Sequence, residues 1–133
     1  MHSFRQAVEA RDADAMAALL ADDVVFTSPV AFKPYPGKPV TAAILRAVLR
    51  VFEDFRYVRE IGGGADHALV FEATVSGRRI TGCDFIHTNA DGLIDDFMVM
   101  VRPLSGATAL AEAMGAQFDR ITAEATAEVT GAG

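Results

Sequence analysis

Residues 80–102 read I-T-G-C-D-F-I-H, then T-N-A-D-G, then L-I-D-D-F-M-V-M-V-R. Two strand-like runs flank an Asn/Asp/Gly turn, which is the pattern of an antiparallel hairpin. Alternation along the first run groups Asp84 with Ile80, Gly82 and Ile86, and sets Cys83, Phe85 and His87 on the opposite face. Asp84 therefore stands among small and apolar neighbours. A carboxylate in that setting either meets a partner or carries a perturbed pKa, which makes Asp84 the candidate catalytic residue.

Outward from this hairpin, residues 55–102 read as an antiparallel meander. Strands are expected over 55–61, 68–75, 79–87 and 93–102, with turns at G-G-G-A-D (62–66), Ser76-Gly77 and N-A-D-G (89–92). That spacing suits hairpins rather than βαβ units. Upstream, Phe4, Ala7 and Val8 share one face of a short helix. Arg11-Asp12-Ala13-Asp14 interrupts it, and Asp12 is a good N-cap for a second helix through Leu20, with Asp14 at the positive end of the dipole. Residues 24–27, V-V-F-T, form a strand candidate. Residues 28–38, S-P-V-A-F-K-P-Y-P-G-K, contain three prolines and a glycine and read as a loop. Its apolar Val30, Phe32 and Tyr35 suit a cover over a cavity mouth or a core edge. Pro39 then opens a helix over 40–55, with Ile44, Leu45, Val48, Leu49, Phe52 and Phe55 at i, i+3, i+4 spacing. A last helix is expected over 107–121, carrying Leu110, Met114 and Phe118. Residues 122–133, small and polar, read as a fraying tail.

Helices, one strand, a helix and then a run of strands define an α+β class: a curved antiparallel sheet packed against the N-terminal helices, forming a cone with an interior. One domain over 1–121 accounts for the chain. Apolar residues make up 51% of it, enough for a sizeable core, and the net charge of −6 argues against nucleic acid and anionic membrane surfaces. No run is long and apolar enough to span a bilayer, and the N-terminus has no signal-peptide core. Cys83 is the only cysteine, so there is no intrachain disulfide framework. A cytoplasmic protein is expected.

The segment A-R-D-A-D-A-M-A-A-L-L-A-D-D-V-V-F, followed by S-P-V-A-F-K-P-Y-P-G, resembles the opening of the nuclear transport factor two superfamily, which includes ketosteroid isomerases and SnoaL-like polyketide cyclases. The pattern of Asp84, Phe85, Asp91, Gly92 and Ile94 is similar to that family's third and fourth strands. The resemblance covers roughly residues 4 to 104. It implies a cone-shaped, cystatin-like α+β barrel, a homodimer and a mostly apolar pocket. Residue by residue, ketosteroid isomerase places an Asp base immediately before the P-V of the loop, where this chain has Ser28. Its helix-borne oxyanion-hole Tyr matches Phe4, and its protonated strand Asp matches Asp84. One of three groups survives. Neither a Ser hydroxyl nor a Phe ring replaces the missing functions, so that isomerase triad is not expected here.

Other constellations weigh less. Arg59 alternates with Phe55, Tyr57 and Ile61, so it is a candidate partner for Asp84, and Asp95 is the nearby second carboxylate of matching parity. The bland alternative has Arg59 snorkelling to the sheet edge. His2, His67 and His87 are not spaced like metal ligands, so no metal is expected, and no cofactor. Cys83 lacks an obvious base and reads as a buried, inert thiol. Gly62-Gly63-Gly64 leads into a strand rather than a helix N-terminus, so it is a turn and not a dinucleotide loop. On the last strand, Phe97, Val99 and Val101 oppose Asp96, Met98, Met100 and Arg102. With Val70, the two methionines give the outer sheet face an apolar component, which suits a homodimer interface; cover by the C-terminal helix is the competing explanation.

The expected pocket wall comprises Phe4, Ser28, Phe32, Tyr35, Leu49, Phe52, Tyr57, Arg59, Phe71, Phe97 and Val99 around Asp84. The functional expectation is a binder of a small hydrophobic molecule, or else an isomerase, cyclase or hydratase acting by proton transfer on a carbonyl-bearing metabolite.

Overall fold

A computed structural model describes residues 2–130. Two short helices, α1 (Ser3–Glu9) and α2 (Ala13–Ala18), lead into β1 (Leu20–Thr27). Asp12 caps α2 by accepting from the Ala15 amide at 3.0 Å, with Asp14 in the first turn. The proline-rich segment contains a two-residue strand, β2 (Tyr35–Pro36), where none was expected; it lies antiparallel to β1. Helix α3 (Lys38–Val51) starts after Gly37, with Pro39 in its first turn. The side chain of buried Thr41 is satisfied by the Gly37 carbonyl at 2.8 Å. Strands β3 (Glu53–Gly63), β4 (Asp66–Val75), β5 (Arg78–Thr88) and β6 (Ile94–Arg102) form the expected meander.

The sheet has six strands in the order β2-β1-β6-β5-β4-β3. It is not wholly antiparallel, because β1 runs parallel to β6, reaching it through the long crossover that includes α3. The sheet is open, with β2 and β3 at its edges, so the interior is enclosed by helices rather than by strand pairing. Leu69, Phe71, Ala73 and Val75 of β4 and Ile80 and Ile86 of β5 point inward and are buried. Gly82 belongs to this inward row because Phe71 lies across it: a Cβ at Gly82 would fall 2.2 Å from the Phe71 ring. The glycine leaves room for the tip of the ring against the strand backbone.

Beyond β6 the chain forms two helices, α4 (Leu104–Gly115) and α5 (Phe118–Thr130). The single helix expected over 107–121 is thus broken after Gly115. Residues 122–130 are helical rather than frayed, and 131–133 lie outside the described residues. The small side chains of this stretch suit a helix docked on α3. Glu124 joins the two helices, accepting from Arg46 Nε at 2.7 Å and lying 3.3 Å from Arg50. Ile121 is buried in the common core. Burial of one apolar turn and a cross-helix ion pair supply what local propensity lacks. Both helices pack over the inner side of the sheet, so they do not cover the outer face. Among the described residues no helix is long and apolar enough to cross a membrane.

Candidate functional site

The interior holds a cavity of about 180 Å³. Sheet residues Phe26, Tyr57, Phe71, Asp84, Phe97 and Val99 form its floor, and α3 contributes Ile44, Leu45, Val48 and Leu49. Phe4 on α1 and Phe52 and Phe55 at the α3–β3 junction complete an aromatic wall. Its rings pack edge-on and stacked: Phe4 against Phe97 at 5.1 Å, Phe55 against Tyr57 at 5.0 Å and against Phe71 at 4.8 Å. Such contacts fix the rings and hence the cavity's shape.

Asp84 is the one buried carboxylate among the described residues. It lies on β5, between Leu69 of β4 and Val99 of β6. The Tyr57 hydroxyl donates a 2.7 Å hydrogen bond to its Oδ2. The other oxygen has no partner among the described residues. Burial pushes the Asp84 carboxyl up from 3.8 to about 7, and the Tyr57 hydrogen bond restrains that rise by stabilising the anion. Tyr57 in turn is held well above its ordinary value, first by burial and then by the Asp84 charge, so it remains a protonated donor. At pH 7 the Asp84 carboxyl is therefore near its midpoint, on the wall of a largely apolar cavity.

Arg59 is not the partner of Asp84. The β3–β4 register shifts between Tyr57, which faces Phe71, and Arg59, which faces Val70. One extra residue, Val58, reverses the parity beyond it. Arg59 and Ile61 consequently fall on the outer side and Glu60 on the inner, where it meets Arg5 at 3.5 Å. A second irregularity, between His87 and Thr88 of β5, similarly removes Asp95 from the interior. Asp95 instead bonds His87 Nδ1 at 2.5 Å, and that bond raises the exposed His87 pKa. Phe32 is also outside the cavity; it is fully exposed at the tip of the proline-rich segment. Its neighbours Pro29 and Val30 line the cavity instead.

Of the remaining expected wall residues, Phe4, Ser28, Tyr35, Leu49, Phe52, Tyr57, Phe71, Phe97 and Val99 all contribute to the cavity. Ser28 Oγ accepts from the Ala31 amide at 2.9 Å and is occupied in shaping the turn. Sequence reasoning missed Glu9 and Arg11 at the α1–α2 junction, Met16 on α2, and the C-terminal wall of Leu110, Met114, Phe118 and Ile121. The 3–4 residue spacing of the latter four was the available signal. Cys83 is half-buried on the outer face, where burial raises its thiol pKa. His67 lies within β4 rather than at a turn, with its ring 4.6 Å from that of His2. Among the described residues no three His, Cys, Asp or Glu side chains gather at metal-binding distance.

Comparison with known proteins places this geometry. A crystal structure of a steroid delta-isomerase from Pseudomonas aeruginosa is 44% identical, with a TM-score of 0.84 over 90% of this chain and 89% of that one. An uncharacterised bacterial protein with a cystatin-like fold from Silicibacter pomeroyi is 40% identical, with a TM-score of 0.83 over 88% and 86%. A nuclear transport factor two-like protein of unknown function from Burkholderia xenovorans shares 19% identity and a TM-score of 0.63 over 80% and 86%, and so shares the fold alone. No curated protein matches the chain. The SnoaL-like domain family matches residues 1–97, and with two solved relatives at 40% identity or above, the chain belongs to the SnoaL-like family, within the ketosteroid isomerase-related fold.

Proposed function

We propose that the chain binds a small, apolar, carbonyl-bearing molecule and shifts a proton on it through Asp84, as an isomerase-type enzyme. The observation that carries this reading is one buried carboxyl with a pKa of about 7, on the wall of an apolar cavity, whose only described polar partner is Tyr57. A general base is most effective when its pKa lies near the working pH. Ionised Asp84 takes a proton from the carbon next to the ligand carbonyl. Once protonated, it no longer needs the Tyr57 hydrogen bond, and the Tyr57 hydroxyl is free to turn to the enolate oxygen. Asp84 then returns the proton to the far carbon of the conjugated system. No atom is gained or lost, and no cofactor enters. Tyr57 thus supplies the donor that Phe4 lacks. The name of the Pseudomonas aeruginosa relative agrees with this reaction class.

The cavity volume of about 180 Å³ is close to that of a cavity that takes one benzene, roughly 150 Å³. It suits a single ring better than a fused polycycle. A β,γ-unsaturated cyclohexenone is therefore the first probe, since its conjugation is followed by ultraviolet absorbance. Wild type should isomerise it, and Asp84→Asn should lose about a hundredfold or more while staying folded. An Asp84→Asn protein as active as wild type would overturn the reading.

Among the described residues two carboxylates line the cavity, and only Asp84 is buried; Glu9 is exposed. That favours, as the second reading, a ligand-binding protein without turnover; saturable binding of the probe with no isomerisation by wild type would select it. We also propose a homodimer through the outer sheet face, where Phe85 and Met100 are exposed.

A further inference from the structure

We infer that the ligand is an acid: an apolar, one-ring-sized carbonyl compound whose anionic group is held by Arg11 at the mouth of the cavity. This rests on the proposed site at Asp84 and adds its opposite end.

Arg11 lines the cavity between α1 and α2. Its backbone closes α1 with two hydrogen bonds, Arg11 N to the Val8 carbonyl at 2.9 Å and Asp12 N to the Ala7 carbonyl at 3.0 Å. That is a Schellman closure, and the position Arg11 occupies in it is the left-handed one, with φ 53°. Glycine is the ordinary occupant there because a Cβ is strained. An arginine in that slot works against the backbone, so its side chain needs a use.

Among the described residues the guanidinium has one bond, from Nη2 to the Leu49 carbonyl at 2.6 Å in the last turn of α3. This ties down one edge and leaves four of its five N–H donors unused. Among the described residues it has no carboxylate partner. Of the two carboxylates on the wall, Asp84 is bonded to Tyr57 and Glu9 to Arg5 Nε at 3.2 Å, so neither is paired with Arg11. Among the described residues Arg11 is thus the one cation on a mostly apolar wall, pre-oriented by α3. A planar fork with free donors beside an apolar cavity is suited to a carboxylate. Inside, a carbonyl meets Asp84 and Tyr57; at the mouth, a carboxylate meets Arg11; the aromatic wall takes the body between them.

The test measures binding by calorimetry, not turnover. Cyclohexenones bearing a carboxylate on linkers of one to three methylenes are compared with their methyl esters. Wild type should bind the best acid about tenfold or more tightly than its ester. Arg11→Gly, which relieves the left-handed backbone but gives up the Leu49 bond, should stay folded and lose far more affinity for the acid than for the ester, so that the preference for the acid disappears. Arg11→Lys should retain part of it. Asp84→Asn should keep the preference even where it abolishes isomerisation, which separates this inference from the catalytic one. Equal affinity for acid and ester in wild type, or an undiminished preference in Arg11→Gly, would overturn the role of Arg11 while leaving Asp84 untouched. Failure of wild type to bind any of these compounds would overturn both.

Discussion

Tyr57 and Asp84 sit two strands apart, on β3 and β5, and meet across β4 through a 2.7 Å hydrogen bond on the inner face. The bond joins the sheet's edge strand to an interior strand on the cavity wall. Because the donor stabilises the anion, it lowers the Asp84 pKa against the opposing effect of burial. Tyr57→Phe should therefore move the Asp84 midpoint above about 7, seen as an upward shift of the acidic limb of the pH–rate profile, where the base must lose its proton, or of the carboxyl band in an infrared titration. An unchanged or lower midpoint would show that the hydrogen bond does not set the charge on Asp84.

Stability should record the same group. The Asp84 pKa rises from 3.8 to about 7 on folding. Between these values the native protein holds a proton that the unfolded chain has released, so stability falls as pH rises through this window and levels off above it. Roughly three units correspond to a penalty on the order of 4 kcal/mol at full development. Asp84→Asn lacks this dependence and can still accept from Tyr57. Urea unfolding should show the variant more stable than wild type near pH 8, with the gap closing towards pH 4. A gap independent of pH would mean that Asp84 is ionised without cost in the fold.

The outer sheet face makes a separate prediction. Val70, Met98 and Met100 lie on it with Phe85, while α4 and α5 pack on the other side. If two copies meet there, Met100→Glu places like charges in an apolar contact and should shift the sedimentation of the protein from dimer to monomer at micromolar concentration. Unaltered secondary structure by circular dichroism would show that the change is confined to association. A wild-type protein that sediments as a monomer would remove this interface.

The hairpin over residues 80–102 was legible because alternation holds along most of β5: Asp84 does sit with Ile80, Gly82 and Ile86 on the buried face. Arg59 and Asp95 were misplaced for one common reason. Parity carries over only in an unbroken ladder, and the register shifts near Val58 and near Thr88 each add one residue. Neither bulge has a glycine or proline to announce it, so the partner of Asp84 was assigned to the wrong member of the right strand. Tyr57 was expected on the wall, yet its role follows only from a cross-sheet distance. The parallel pairing of β1 with β6 was hidden for a similar reason, since local sequence carries no record of which distant strand a segment will join. Arg11 was passed over as a helix breaker; its left-handed backbone and its place on the cavity wall exist only in three dimensions.

The C-terminal helix shows how much can rest on a segment that looks dispensable. Residues 122–130 are mostly Ala, Thr and Glu, a composition with no apolar stripe of its own. Ile121 is nonetheless among the most buried side chains, and with Phe118 it closes one side of the cavity. Phe118 also lies 6.2 Å from the Tyr35 ring, so α5 and β2 meet over the same wall. Deleting three carbons from a buried Ile typically costs about 2–5 kcal/mol, depending on how far the surroundings collapse. Here the site borders a cavity, so collapse is easier on one side and the cost should lie near the lower end. Ile121→Ala should lower stability by about 2–3 kcal/mol in urea unfolding and weaken binding of the cyclohexenone probe. Glu124→Gln, which removes partly exposed ion pairs to Arg46, Arg50 and Arg120, should cost less, about 1 kcal/mol. An Ile121→Ala protein as stable as wild type would mean that α5 is not part of the folded core, and the cavity would then be open on that side.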